Sequence, residues 1–351
     1  MHKLTAVILV GGPGTRLQPL TDAVPKSMVP VLNRPVMEHT IAYLKQFGVE
    51  DIVLTLSYLP DAIRDYFGDG QRFGVRIAYC LEEEPLGTAG AVKNAEAHLK
   101  STFIVLNGDV FTDLDLAGML AFHRQNKAAA TISLSWVEDT SAFGVVETDN
   151  GQRVKSFIEK PPRAEATTNW INAGTYILDP AVLEHIPAGR HYMFEKGLFP
   201  GLLSLGAPVY GYPYRGYWLD MGTLEKYFNL NMDLLSSRFN SPLGGLAGAA
   251  GIGRGADVVL HPSAEITPPV LIDRGCRIGP RVRLKGPVVL GRDCRLEQGA
   301  AVESAVLWEG VGIGAGASLN RCIVSSRAFI GSNRAVENCV VTPSRTVPLS
   351  G

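Results

Sequence analysis

The chain has 351 residues, of which 46% are hydrophobic and 19% charged, and its formal net charge is -1. This length exceeds one typical domain, and the hydrophobic fraction is sufficient for a sizeable core. The near-neutral charge provides no broad field to hold nucleic acid or an anionic membrane, so any phosphate site must be local. The first apolar run, residues 6–10, is too short for a signal peptide or a membrane span, and we expect a cytoplasmic protein.

The first two-thirds of the chain alternate strand-like and helix-like segments. Segments rich in Val, Ile, Leu and aromatic residues predict strands at 5–10, 51–56, 76–79, 102–106, 130–136 and 174–178. Helical periodicity marks residues 35–47, 59–67 and 223–237. The alternation predicts an α/β domain over residues 1–238, with a Rossmann-like, mostly parallel sheet covered on both faces. Ligands bind such sheets at the carboxyl ends of the strands.

A Gly/Ala-rich, nearly uncharged stretch follows, and we interpret residues 239–257 as a linker. Beyond it, aliphatic residues recur every six positions, and the register later resumes at 313 and at 330. A six-residue aliphatic period is typical of a parallel β-helix, in which each triangular coil uses three hexads and the aliphatic side chains point inward. We predict this fold for residues 258–345. The first eight inward residues are Leu260, Ile266, Ile272, Ile278, Leu284, Leu290, Leu296 and Val302.

The five cysteines are odd in number, and no pair has the spacing of a metal knuckle. We expect buried thiols in a reducing cytosol. Cys276 and Cys294 lie eighteen residues apart, which is the length of one full coil. They are therefore expected to stack on each other inside the β-helix.

The first predicted strand ends in a Gly-rich turn, GGPGTRL, at residues 11–17. Such a turn lets backbone N–H groups approach phosphates closely. A nicotinamide-binding turn needs G-x-G-x-x-G opening a helix, whereas here Leu17 replaces the third glycine and Pro19 interrupts the helix. Arg16 and Lys26 add two fixed positive charges, which suit a triphosphate better than a dinucleotide. Taken alone, the segment also fits a tight turn with surface cations.

The segment GGPGTRLQPLTDAVPKSMVP, residues 11–30, resembles the signature loop of the sugar-1-phosphate nucleotidyltransferases. The resemblance continues, in the family's order, through LGTAG at 86–90, NGD at 107–109, FIEKP at 157–161, NAG at 172–174 and WLDMG at 218–222. It covers roughly residues 3–235 and implies a GT-A-like catalytic domain. The six-residue repeats resemble the left-handed β-helix tail of several members. The sequence is most similar to the mannose-1-phosphate guanylyltransferase subgroup, with EEEPLGTAG at 82–90 as the best cue.

The resemblance implies an enzyme that joins a nucleoside triphosphate to a sugar 1-phosphate and releases pyrophosphate. A sugar-phosphate oxygen attacks the α-phosphorus in line, and positioning and charge neutralisation supply the catalysis. Asp109 and Asp220 stand at the two motifs where the family holds a divalent cation, so the expected cofactor is Mg²⁺. Arg16 and Lys26 are expected to balance the charge of the triphosphate and the leaving pyrophosphate. Lys160 is expected at the sugar phosphate.

The same motifs imply the binding residues. Glu159, Asn172 and Gly144 resemble the family's sugar contacts, and Arg190 and Lys196 are both candidates for a second cation near the sugar phosphate. Judged in isolation, an Asp after a strand is a turn or a helix cap, and an exposed Glu-Lys-Pro is a solvated turn. The implied nucleotide-binding residues are Val10, Gly11, Gly12, Gly14, Thr15, Glu82, Gly87, Thr88 and Gly108.

The identity of the base is predicted from Glu82, because a carboxylate accepts hydrogen bonds and donates none. Guanine offers N1–H and an exocyclic amine side by side. Uracil and thymine offer one N–H between two carbonyl oxygens, and adenine presents an acceptor at N1. We therefore expect GTP and, by resemblance, mannose 1-phosphate. Two alternatives remain: Glu82 points to solvent with Glu83 and Glu84, or the substrates are glucose 1-phosphate with UTP or dTTP.

Two other classes of protein share parts of this pattern. Hexapeptide acyltransferases need a catalytic His on the β-helix, and the repeat region here has only His261, at its start. Regulatory subunits of the same architecture usually have degraded acids and cations, whereas here the expected set is complete. We expect the β-helix to mediate homo-oligomerisation and expect neither nucleic acid nor membrane as a partner.

Overall fold

The computed structural model describes residues 4–236 and 251–350. The chain divides into two compact units. The first, here called the sheet unit, contains Met1–Pro13 and Thr40–Trp218. The second, the β-helix unit, contains Gly14–His39 and Leu219–Gly351. The signature segment 11–30 is thus shared between the units. The predicted domain limits at 238 and 258 stay a prediction.

The elements of residues 4–236 alternate as the sequence indicates, with short 3₁₀ helices at Thr15–Leu17 and Lys26–Met28. The strands are β1 (Thr5–Leu9), β2 (Pro30–Val31), β3 (Arg34–Pro35), β4 (Asp51–Leu56), β5 (Arg76–Leu81), β6 (Phe103–Asn107), β7 (Val110–Thr112), β8 (Ala130–Trp136), β9 (Gly144–Thr148), β10 (Val154–Glu159), β11 (Trp170–Leu178), β12 (Val209–Tyr214) and β13 (Trp218–Asp220). The helices are α1 (Val36–Gln46), α2 (Pro60–Phe67), α3 (Gly87–Asn94), α4 (Leu116–Gln125), α5 (Phe199–Ser204) and α6 (Leu224–Leu235).

The sheet unit is built on one sheet with the order β10-β9-β11-β6-β1-β4-β5; β8 also pairs with β11, and β12 pairs with β8. The four strands β6, β1, β4 and β5 are parallel. Both faces of β1 and β6 are buried, as their continuous apolar sequences predict. The mostly parallel α/β sheet and all six predicted strands are confirmed. Strand β11 runs antiparallel to β6, β8 and β9.

Residues 251–350 form a parallel β-helix, which confirms the predicted fold class. Its left-handed sense stays a prediction. Residues 239–250 of the predicted linker lie outside the described residues, and the first strand begins at 252. The strands are β14 (Ile252–Arg254), β15 (Val259–Leu260), β16 (Glu265–Thr267), β17 (Val270–Ile272), β18 (Arg277–Ile278), β19 (Arg283–Leu290), β20 (Arg295–Leu296), β21 (Ala301–Leu307), β22 (Gly312–Ile313), β23 (Ser318–Val324), β24 (Phe329–Ile330), β25 (Ala335–Glu337), β26 (Cys339–Val341) and β27 (Thr346–Pro348).

The predicted hexad residues line the interior of the coils in three columns, one for each side of the triangle. From 272 to 302 each of them is at most 2% exposed, because they stack on their counterparts in neighbouring coils. The columns are Leu260, Ile278, Leu296, Ile313 and Ile330; Ile266, Leu284, Val302, Leu319 and Val336; and Ile272, Leu290, Leu307, Val324 and Val341.

The six-residue period slips where one corner of the coil loses a residue. Lys285 pairs with Glu303, but Val288 pairs with Ala305, so Ser304 occupies the corner that two residues fill in the preceding coil. Ser304 adopts a left-handed φ of 46° to make this tighter turn. The interruption of the sequence pattern after 302 therefore marks a change of corner within a continuous β-helix.

Cys276 and Cys294 are both fully buried in the β-helix core. Each thiol donates a hydrogen bond to a main-chain carbonyl of the next coil, Cys276 to Gly291 at 3.0 Å and Cys294 to Trp308 at 3.1 Å. The neighbouring Cys276 thiol, together with burial, raises the pKa of Cys294. The two thiols are thus neighbours in the stack, as their spacing predicted.

Candidate active site

The carboxyl ends of β1 and β6 bring two predicted site segments together. Leu9 and Asn107 are paired residues at the ends of these strands. The Gly108 N–H donates to the Leu9 carbonyl at 3.0 Å, and a Cβ at Gly108 would lie 2.6 Å from Cγ1 of Val10. Glycine at 108 is therefore needed for close packing of the two chain segments. This packing places Asp109 at the carboxyl edge of the sheet.

Glu82 lies beside the first glycine turn, although its two acidic neighbours are exposed. Its Oε2 accepts a hydrogen bond from the Leu86 N–H at 2.8 Å. Its Oε1 lies 3.5 Å from the position of a Cβ on Gly11. Burial raises the pKa of Glu82, and the hydrogen bond from Leu86 opposes that rise. The alternative in which Glu82 points to solvent with Glu83 and Glu84 is wrong.

The second glycine-rich motif packs against the segment that leads into α5. Gly87 has a φ of 72°, and a Cβ on it would lie 2.8 Å from the Tyr192 carbonyl oxygen. The Thr88 hydroxyl donates to Oε2 of Glu195 at 3.0 Å and accepts from the Phe194 N–H at 2.9 Å. Thr88 therefore holds the start of α3 against this segment. Glu195, which we did not predict as a site residue, is brought to the site by this contact.

The hydroxyl of Tyr176, a fully buried residue, lies within the electrostatic influence of three carboxylates. Burial raises the pKa of Tyr176, and the negative charges of Glu195, Glu159 and Asp109 raise it further. Asn172 donates from Nδ2 to the Tyr176 hydroxyl at 2.8 Å. The fold thus gathers two predicted carboxylates, the predicted amide and the unpredicted Glu195 around one phenol.

Three predicted residues of the sugar side lie together where the start of β9 pairs with the end of β10. A Cβ on Gly144 would lie 2.9 Å from Oε2 of Glu159, so glycine leaves room for that carboxylate. Nζ of Lys160 is 3.6 Å from Oε1 of Glu159. The side chain of Lys160 is 62% exposed and that of Glu159 only 16%. A fixed carboxylate beside a mobile ammonium group suits recognition of a hydroxylated substrate that carries a phosphate.

The first loop continues in the β-helix unit, where it folds back on itself. Gly14 has a left-handed φ of 65°, and a Cβ on it would lie 3.0 Å from Cβ of Lys26. The hydroxyl of Thr21 donates to the Gly14 carbonyl at 2.9 Å and closes the loop. Gly12 and Thr15 are exposed on the same turn. Lys26 is therefore held beside the glycine turn, as expected for a phosphate-binding loop.

Gly222 marks the place where Arg16 and Asp220 approach each other. A Cβ on Gly222 would lie 3.0 Å from Oδ2 of Asp220 and 3.1 Å from Nη2 of Arg16. Oδ2 of Asp220 is also 3.9 Å from Nζ of Lys226. Asp220 thus holds cationic side chains that could also pair with a bound phosphate.

The predicted residues thus form two sets, one in each unit. Asp109 belongs to the sheet unit and Asp220 to the β-helix unit, so their joint binding of a metal stays a proposal. Within residues 4–236 and 251–350, no group of three or more His, Cys, Asp or Glu side chains is arranged to hold a metal. The same described residues include no helix with the length and hydropathy of a membrane span.

A parallel sheet with glycine turns and carboxylates at its carboxyl edge, a cationic loop and a β-helix define an enzyme of the nucleotidyltransferase class. Residues 5–237 match the Nucleotidyl transferase family, and residues 256–347 match the GMPPB C-terminal domain. The chain belongs to the nucleotidyl transferase family.

Two relatives match most of the chain, and one solved structure matches about two-thirds of it. The sequence is 41% identical to the mannose-1-phosphate guanylyltransferase of Mycobacterium tuberculosis, over 86% of this chain and 84% of that protein. It is 36% identical to the UTP–glucose-1-phosphate uridylyltransferase of Synechocystis, over 97% of this chain and 94% of that protein. The crystal structure of HddC from Yersinia pseudotuberculosis, complexed with GMP-PN, matches with a TM-score of 0.57 and 32% identity, over 65% of this chain and 98% of that one.

Proposed function

We propose that this enzyme joins GTP to mannose 1-phosphate and forms GDP-mannose and pyrophosphate. The observation that carries this proposal is the position of Glu82, a half-buried carboxylate beside the Gly11 turn with Oε2 fixed by Leu86. Carboxylate oxygens there can accept from N1–H and the amine of guanine, whereas the carbonyl oxygens of uracil or thymine would be repelled. The similarity to the M. tuberculosis mannose-1-phosphate guanylyltransferase supports the same substrate pair.

The residues of the two sets divide the work of an in-line displacement between them. Arg16 and Lys26 neutralise the triphosphate, so that the leaving pyrophosphate carries less uncompensated charge. Lys160 binds the sugar phosphate, whose oxygen attacks the α-phosphorus, and its exposed side chain can follow the phosphate as the bond forms. Glu159 accepts hydrogen bonds from the sugar hydroxyls. No proton has to be removed from the attacking oxygen, because the phosphate is already an anion.

We further propose that Asp109 and Asp220 bind Mg²⁺. Carboxylate oxygens are the hard ligands that Mg²⁺ prefers, and Mg²⁺ also takes phosphate oxygens and water, so two protein ligands suffice. A bound Mg²⁺ supplies charge neutralisation at the reacting phosphates. Asp109 lies at the carboxyl edge of the sheet, and Asp220 lies close to Arg16, which is itself proposed at the phosphates.

Pyrophosphate release in the presence of Mg²⁺ tests the proposal. The assay combines GTP, UTP, dTTP, ATP and CTP with the 1-phosphates of mannose, glucose and N-acetylglucosamine. We expect one peak, at GTP with mannose 1-phosphate. A peak at UTP with glucose 1-phosphate would instead favour the activity that the name of the Synechocystis relative states. A peak at dTTP with glucose 1-phosphate would favour a thymidylyltransferase. No activity with any pair at high enzyme concentration would favour a regulatory subunit.

We also propose that the protein is a cytoplasmic homo-oligomer assembled through its β-helix. Five free cysteines suit a reducing compartment. Val259 and Phe329 are 56% and 64% exposed, and they stand at the two ends of one outward row of the β-helix, with Arg277, Arg295 and Gly312 between them. We propose that Phe329, the more exposed of the two, contributes to the surface for association.

A further inference from the structure

The signature loop is followed by a tight hairpin within the β-helix unit. Its strands β2 and β3 pair Val31 with Arg34, so Leu32 and Asn33 form a two-residue turn. Both turn residues have a left-handed φ, of 45° and 65°. Asn accepts this conformation readily, but Leu adopts it only when its surroundings hold it there. Leu32 is almost completely buried, so the surroundings of this turn determine its shape.

Two buried side chains of α6 hold the hairpin. Oδ1 of Asn231 accepts from the Leu32 N–H at 3.0 Å, and its Nδ2 donates to the Tyr227 carbonyl at 2.9 Å. The Tyr227 hydroxyl donates to the Pro30 carbonyl at 2.6 Å and accepts from Nε1–H of Trp308 at 2.8 Å. The phenol of Tyr227 is therefore a hydrogen-bonded link between the hairpin and the β-helix.

The β-helix makes two more contacts to the same elements. Nδ2 of Asn33, in the hairpin turn, donates to the Leu290 carbonyl at 2.9 Å. Nη2 of Arg321 lies 2.8 Å from Oε1 of Glu225, in the first turn of α6. Arg321 occupies the shortened corner of its coil, at the position equivalent to Ser304 in the preceding coil. The tighter corner is thus, with Trp308, a part of the β-helix that meets α6.

We propose that the β-helix positions the catalytic groups through Tyr227, by fixing the hairpin against α6. The hairpin begins directly after the turn that carries Lys26, and α6 begins four residues after Asp220. This inference rests on the proposed function, in which both residues act on the phosphates. If Tyr227 only filled space, phenylalanine would serve equally well. A fully satisfied chain of hydrogen bonds between three segments specifies one geometry.

The variant Tyr227→Phe in the full chain tests the inference, because it keeps the ring and leaves the Pro30 carbonyl and the Trp308 N–H without their shared partner. We expect kcat/KM for the best substrate pair to fall about fivefold, the factor that corresponds to the loss of one net hydrogen bond. Hydrogen exchange of peptides covering residues 26–36 should become faster. Ile330→Val, in the buried column of β24, is the control, since it loses a methyl group from the interior of the β-helix. It should leave both readouts unchanged.

Each outcome decides a separate point. Unchanged exchange over residues 26–36 in Tyr227→Phe would overturn the link between Tyr227 and the hairpin. Faster exchange with an unchanged kcat/KM would overturn its role in catalysis. Equal effects in Ile330→Val would reduce both to general loss of stability. If the unsubstituted protein releases no pyrophosphate with any pair, the proposed function fails, and the exchange measurement still decides the link.

Discussion

Gly222 illustrates how a single residue sets the geometry of charged groups. A Cβ at this position would lie 3.0 Å from Oδ2 of Asp220 and 3.1 Å from Nη2 of Arg16, so one of the two must move. We expect Gly222→Ala to lower kcat roughly threefold to tenfold, because a charged side chain must shift by a few tenths of an ångström and catalysis here depends on position. Gly201→Ala, where a Cβ meets no atom within 4 Å, is the matched control and should keep kcat. A parental kcat in Gly222→Ala would show that the two charged groups need not be so close.

Glu82 carries the argument for guanine, and its amide variant tests that argument. Glu82→Gln introduces a donor next to Oε1 and removes a charge, which should favour bases that present carbonyl oxygens. We expect the ratio of kcat/KM for GTP to that for UTP to fall about tenfold, corresponding to one lost charge-assisted hydrogen bond. Glu83→Gln, at the exposed neighbour, should leave the ratio unchanged. An unchanged ratio in Glu82→Gln would remove the residue from base selection.

Glu195 should make stability depend on pH. Burial raises its pKa, although the hydrogen bond from Thr88 opposes this, so ionisation is harder in the folded protein than in the unfolded one. Its favourable contribution is present below the unfolded pKa and is lost as pH rises through the folded value. Glu195→Gln should therefore raise the melting temperature at pH 7 more than at pH 4. The exposed Glu184→Gln should show no such difference, and a pH-independent effect at 195 would contradict the argument.

The glycines of the predicted site show what a sequence motif leaves out. Gly108 and Gly87 were predicted as nucleotide contacts, yet each is also required for close packing of neighbouring segments. Glu195 escaped prediction because its significance comes from a partner, Thr88, that lies 107 residues away in the chain. A single acidic residue in an apolar segment carries no local pattern. Its burial and its place among other carboxylates arise only from the tertiary fold.

At the level of elements, prediction succeeded where the sequence pattern is local. Each side of a β-helix coil contributes one inward aliphatic residue, so these residues recur at a regular interval that is visible in the sequence. Strands β9 and β10 were missed, because their antiparallel pairing with each other and with β11 needs no crossover helix and leaves no alternation to detect. Strand β12, which pairs in parallel with β8, was missed as well. The corner at Ser304 was visible only as a break in the period. Its structural meaning, a seventeen-residue coil, required the register of β19 and β21.

The predicted site residues are distributed over two structural units, and the order of the motifs in the sequence does not reveal this division. The division between the units falls at Pro13 and Gly14, inside the segment that resembles one motif. The part from Gly14 onward is held by α6 and the β-helix, through Tyr227 and Asn231. The C-terminal domain thus belongs structurally with half of the signature loop. We therefore expect truncation of the β-helix to disturb this part of the signature loop as well as to remove a surface for assembly.

Assembly itself can be tested on the outward row of the β-helix that carries Phe329. This side chain is 64% exposed and covers Gly312, and removing such a ring from water is worth roughly 2 kcal/mol in an interface. We expect Phe329→Glu to reduce the mass measured by light scattering toward that of the 37.8 kDa chain. Ser318→Glu adds the same charge to another exposed row and should leave the mass unchanged. If the unsubstituted protein is already a monomer, or if Phe329→Glu leaves an oligomer intact, this row is not the interface. Phe329 lies in β24, whereas α6 contacts the β-helix at β19 and β21. The substitution should therefore leave those contacts intact, and kcat should stay unchanged when assembly is lost. A lower kcat would indicate that oligomerisation itself supports the active site.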